Sequence, residues 1–109
     1  MDVTYGDRKV GKICESERDM RRSYGPDLAK KIGQRLAQLR AAETLEDMRP
    51  PALGKCHELS GDKDGCLSLH LTANWRLVFS PREYEEDEQG GLKWSSVTAV
   101  IIEEIEDYH

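Results

Sequence analysis

Between residues 66 and 80 the chain alternates apolar and polar positions twice. Leu67, Leu69 and Leu71 fall on one face of a strand, with Ser68 and His70 on the other. The Thr72-Ala73-Asn74 turn reverses the chain. Trp75, Leu77 and Phe79 then share a face again, so Arg76 projects from the opposite one. The pattern predicts a hairpin with one side for a core and one side open to chemistry.

Upstream, Val3 and Tyr5 predict a short strand over residues 1–5. From Asp7 to Tyr24 the spacing turns helical, with Val10, Ile13 and Cys14 on one side, then Met20 and Tyr24. Ser16 followed three residues later by Asp19 resembles a capping box and predicts a break into two short helices. Gly25 closes that segment, and Pro26 suits the first turn of a helix over 27–42. Its apolar stripe is Leu28, Ile32, Leu36 and Leu39, with Lys30, Lys31, Arg35 and Arg40 read as lying off it. A short turn at 44–48 precedes the breaker Pro50-Pro51. Strands are expected near 56–60, 66–71, 74–80 and 94–105, the last apolar on both faces through Ile102 as an interior strand would be. The stretch 83–91 reads as a solvated acidic hairpin loop. The expected fold is a single α+β domain over 1–109, with two to three N-terminal helices packed on a small, mainly antiparallel twisted sheet.

Composition narrows the class. With 38% hydrophobic and 34% charged residues, the chain is of the globular, soluble type. Its longest aliphatic run, 99–102, is far short of a membrane span, and the first residues hold no apolar signal region. Cys14, Cys56 and Cys66 form no C-x-x-C pair, which fits reduced thiols in a cytoplasmic protein. The net charge of −5 is unevenly placed. Residues 1–55 hold twelve Lys and Arg against nine Asp and Glu, and residues 56–109 hold four against twelve. A basic face on the first half can meet phosphate, although a solvated charged surface accounts for the same counts.

The residues that could carry chemistry are His57, Arg76 and the trio Asp107-Tyr108-His109. Two histidines can divide the roles of general base and general acid near neutral pH. An arginine can hold a phosphate and neutralise charge that develops on it, and a tyrosine can stack on a base. Together these are the tools of metal-free RNA cleavage. Taken singly, a surface histidine is more often inert and a strand-end tyrosine more often packing. His109 sits beside its own α-carboxylate, which is expected to raise its pKa above about 6.5. Cys56, His57, Cys66 and His70 lack the paired spacing of a zinc site, and no nucleotide-binding or metalloprotease motif is present. Neither metal nor cofactor is expected.

The stretch 56–79, with its C-H-x-L-x-G-D…G…L-x-L-T-x-N-W-R-L-x-F order, resembles the RelE/ParE toxin superfamily, in particular its HigB-type branch. The close, V-I-I-E-E-I-E-D-Y-H, matches that branch's characteristic Asp-Tyr-His ending, and Tyr24-Gly25, Arg35-Leu36-x-x-Leu39, Ala41-Ala42 and Leu45-Glu46-Asp47 fit its helical half. The resemblance implies a ribosome-dependent mRNA endonuclease paired with a helix-turn-helix, HigA-like antitoxin. It implies that Arg76 holds the scissile phosphate, that His57 and His109 share proton transfer, that Tyr108 positions the nucleotide and that Asp107 orients a neighbour. Family members often carry a lysine three residues after the histidine that matches His57; Ser60 stands there, with Lys55 and Lys63 as candidate substitutes. Ribosome contact is expected on Lys30, Lys31 and Arg35. The competing readings are a ParE-like, non-catalytic inhibitor of DNA gyrase, and a weakened toxin that only binds its antitoxin.

Overall fold

The computed structural model of the chain describes residues 1–108. Strand β1 (Asp2–Tyr5) leads into three helices, α1 (Arg8–Cys14), α2 (Glu17–Tyr24) and α3 (Pro26–Ala41). Four further strands follow: β2 (His57–Glu58), β3 (Leu67–His70), β4 (Trp75–Pro81) and β5 (Ala99–Asp107). They form one five-stranded sheet in the order β1-β5-β4-β3-β2. β1 runs parallel to β5, and the other neighbours are antiparallel. The architecture is the α+β arrangement that the period change predicts.

Local chemistry sets the helix boundaries. Asp7 caps α1 by accepting from the Val10 N–H at 2.8 Å, and Ser16 caps α2 by accepting from the Asp19 N–H at 3.1 Å. Gly25 joins α2 to α3 at φ 83°, a left-handed conformation that a side chain would strain. Leu28, Ile32, Leu36 and Leu39 of α3 are buried in one core with Leu67, Leu69, Leu71, Leu77, Phe79 and Ile102 of the sheet. β5 is interior, between β1 and β4, which explains its apolar residues on both faces. No helix among the described residues is long and apolar enough to cross a membrane.

Two strand expectations need correction. β2 is only two residues long, and β5 begins at Ala99 rather than near 94. Residues Trp94–Ser96 form a 3-10 turn instead. That turn sinks the Trp94 ring into the core while its indole N–H donates to Glu58 at 3.1 Å, so the buried donor has a partner.

Candidate functional site

The sheet's register puts the chemistry on the face turned away from the buried leucines. His57 pairs with Ser68, and Ser68 with Val78; His70 pairs with Arg76, and Arg76 with Glu106. Paired residues share a face, so His57, Ser68, His70, Arg76 and Glu106 stand together. Tyr108 lies two residues beyond Glu106, and its N–H donates to the Asn74 carbonyl at 3.0 Å, which ties it to the β3–β4 turn. The result is a cavity of about 230 Å³ lined by Lys55, His57, Ser68, His70, Arg76 and Tyr108. A wider groove of about 690 Å³ runs between α2 and α3, past Met20, Ala29 and Gly33. It holds no imidazole, so the smaller cavity is the candidate site.

Arg76 is held from two sides. Its Nε donates to Glu106 at 3.1 Å, and its guanidinium carbon lies 4.7 Å from the centroid of the Tyr108 ring. The Arg76 and Glu106 side chains are only 19% and 21% exposed. Glu106 also lies 4.0 Å from the Lys63 ammonium, which bonds Glu104 at 2.7 Å. Glu104 and Glu106 are thus each matched by a cation on the same face. Nε is one of five N–H donors on a guanidinium, so the contact with Glu106 is compatible with gripping an anion through another edge.

The two imidazoles of the cavity differ. His57 is exposed, with Nδ1 2.9 Å from the Lys55 carbonyl. A carbonyl can only accept, so Nδ1 carries a hydrogen and Nε2 faces outward with its lone pair. His70 is half-buried. Burial pushes its pKa below the ordinary imidazole value, and the positive charges of Lys55, Arg35 and Lys31 push it further.

The cavity gathers His57, Arg76, Tyr108 and Lys55 of the sequence-derived set. His109 lies outside the described residues. Asp107, the last residue of β5, pairs with Trp75 and does not line the cavity. Lys63 stands beside the cavity, bound to Glu104, and does not line it. Lys30 borders the α2–α3 groove, whereas Lys31 is exposed and close enough to act on His70.

The reading of Arg35 as lying off the apolar stripe needs correction. Only 8% of the residue is exposed, and its Nε donates to the His70 carbonyl at 2.8 Å. It is an internal brace between α3 and β3, not a surface cation. Its spacing carried the signal, because position 35 is three residues from Ile32, four from Leu39 and seven from Leu28. Sequence reasoning also missed His70 as a site residue. The hairpin pairing that sets it opposite Arg76 was the available clue. Cys56 is buried on the core side of His57, and burial pushes its thiol up to about 12. Among the described residues, no three His, Cys, Asp or Glu side chains gather to hold a metal ion.

Comparison with known proteins bears on this geometry. The model of a family described as "RelE-like toxin of type II toxin-antitoxin system HigB" matches residues 7–90. The matched range takes in the helices, His57, His70 and Arg76 and stops short of β5. Two solved structures share the fold. A YoeB/ParE toxin from Agrobacterium tumefaciens is 17% identical with a TM-score of 0.59, over 100% of both chains. A chain of the YoeB-YefM complex from Staphylococcus aureus is 16% identical with a TM-score of 0.56, over 100% of this chain and 97% of that one. No curated protein matches the chain.

Proposed function

Because the chain belongs to the HigB-like toxin family, the RelE-like toxins of type II toxin-antitoxin systems, we propose that it is a ribosome-dependent mRNA endonuclease that cleaves by attack of the ribose 2′-hydroxyl. The observation that carries the proposal is the cavity on the open sheet face, where imidazole, guanidinium, ammonium and phenol groups line one space. Arg76 and Lys55 supply positive charge for the scissile phosphate and for the charge that builds on it during displacement. Tyr108, exposed beside Arg76, offers a ring for an unstacked base. His57 has its Nε2 available to carry a proton, and His109 is its expected partner by family resemblance. The products are a cyclic or open 3′-phosphate and a 5′-hydroxyl.

Lys31 and Lys55 lie on the His70 side of the site and give incoming phosphates a basic approach. A protein antitoxin is the partner implied by the family, and one solved neighbour is a chain of a YoeB-YefM complex. We assign that partner to the helix-turn-helix, HigA-like type, encoded beside the toxin, and place both proteins in the cytoplasm. Controlled induction in cells tests the reading. It predicts fast arrest of translation with transcripts cut inside reading frames. DNA damage without transcript cleavage would instead favour gyrase inhibition, and growth unaffected at high soluble levels would favour a protein that only binds its antitoxin.

A further inference from the structure

We propose that His70 is the proton-accepting residue of the cavity, removing the 2′-hydroxyl proton of the RNA; the assignment rests on the nuclease reading above. The family resemblance divides proton transfer between His57 and His109; here the accepting role falls to His70 instead, and three features of the structure support it.

The first is position. His70 is the cross-strand partner of Arg76 and lines the same cavity as His57, Lys55 and Tyr108. An in-line displacement at phosphorus needs a proton acceptor near the attacking oxygen and a donor near the leaving one. His70 and His57 come from adjacent strands, with His57 paired to Ser68, two residues before His70. The cavity therefore offers two separate imidazoles around the guanidinium. In the step, the 2′-oxygen gives its proton to the His70 ring and bonds to phosphorus. The bond from phosphorus to the 5′-oxygen breaks, and a protonated imidazole, His57, donates to that oxygen. A cyclic phosphate and a 5′-hydroxyl result, with protons and electron pairs balanced.

The second is the fixing of the His70 backbone. Its N–H donates to the Gly54 carbonyl at 2.7 Å, and its own carbonyl accepts from the buried Arg35 at 2.8 Å. Gly54 approaches so closely, at φ 107°, that a Cβ there would lie 2.8 Å from Leu69 Cδ2 and 3.2 Å from Arg35 Nε. Burying a guanidinium is costly unless it is well partnered. Here the buried cation and the tightly packed glycine both fix one residue of the open face, the kind of support a catalytic group requires.

The third is charge. The groups around His70 are Lys55 from the loop, His57 from β2, Arg76 from β4, Arg35 and Lys31 from α3, and Tyr108 beyond β5. The nearest carboxylate across the pairing, Glu106, is engaged by Arg76 and Lys63. Burial and the cations favour the neutral ring, which is the form that accepts a proton.

The test is single-turnover mRNA cleavage on programmed ribosomes across acidic to neutral pH, with wild type, His70→Gln and His57→Gln, alongside ribosome binding and thermal unfolding. The expected result is a loss of about 100-fold or more in cleavage for His70→Gln. Ribosome affinity should be unchanged, and partial activity should return with added imidazole. The wild-type rate should fall at acid pH through a pKa below the ordinary imidazole value. A folded His70→Gln that cleaves within about threefold of wild type overturns the assignment and leaves the nuclease reading standing. Should His70→Gln fail to fold, the wild-type profile decides: an acid limb above the ordinary value also overturns it. A wild type that cleaves no mRNA on the ribosome removes the nuclease reading itself.

Discussion

Replacing Arg35 with alanine separates a buried brace from a surface cation. The guanidinium donates to the His70 carbonyl at 2.8 Å while only 8% of the residue is exposed. A hydrogen bond from a charged donor contributes about 1.5–3 kcal/mol, and its loss leaves that carbonyl unpaired. The side-chain stem packs against Gly54, where Arg35 Cδ lies 3.3 Å from the site of a would-be Cβ. Truncation removes two methylenes of that stem beyond Cβ, at roughly 0.8 kcal/mol each if fully buried. Release from the cost of burying the charge offsets part of this, so the net loss should be about 2–4 kcal/mol. For a domain of this size that corresponds to a fall in Tm of roughly 8–16 °C. Arg35→Met keeps most of the stem and should lose less. The assay is urea and thermal unfolding by circular dichroism, with Lys30→Ala as an exposed control expected to stay within about 0.5 kcal/mol of wild type. If Arg35→Ala also stays within about 0.5 kcal/mol of wild type, the brace is wrong.

Further outcomes follow from the same geometry. Reversing Lys31 and Lys55 to glutamate should weaken ribosome binding and lower its salt dependence by about one unit of slope for each phosphate no longer neutralised; an unchanged slope would place the phosphate-binding surface elsewhere. Tyr108→Ala should reduce cleavage by roughly 5–100-fold through loss of stacking, whereas Tyr108→Phe should stay near wild type; equal losses in both would assign the function to the hydroxyl. Burial pushes the Cys14 thiol up to about 11 and the Cys56 thiol up to about 12. Both therefore stay protonated at mildly alkaline pH, and a thiol reagent on the native protein should label the half-buried Cys66 first. Rapid labelling of Cys56 would contradict the packing of the core.

The sequence made visible whatever local periodicity controls. The leucine alternation of 67–71, the Ser16 cap and the two-faced apolarity of β5 each have one cheap physical solution, and the fold adopts it. What it concealed depends on partners distant in the chain. Arg35 reads as a surface cation by residue type, yet its position on the stripe and the His70 carbonyl 35 residues away bury it. Asp107 and Tyr108 look like one unit in sequence, but β5 ends at Asp107, paired with Trp75, while Tyr108 is tied to Asn74 of the β3–β4 turn and lines the cavity. The apolar pattern sets the start of β5 too early because Trp94 and Val97 are core residues whether their backbone is a strand or a turn.

The central claim is that the open sheet face cuts mRNA on the ribosome. The most direct measurement incubates purified toxin with a defined mRNA, with and without programmed ribosomes, and maps the new 5′ ends and their chemistry. Wild type should cut inside the reading frame only when ribosomes are present and leave 5′-hydroxyl ends. Arg76→Ala, folded and still able to bind antitoxin, should lose roughly 100–1,000-fold in rate. Intact mRNA under saturating wild-type toxin, or equal cleavage by Arg76→Ala, would contradict it.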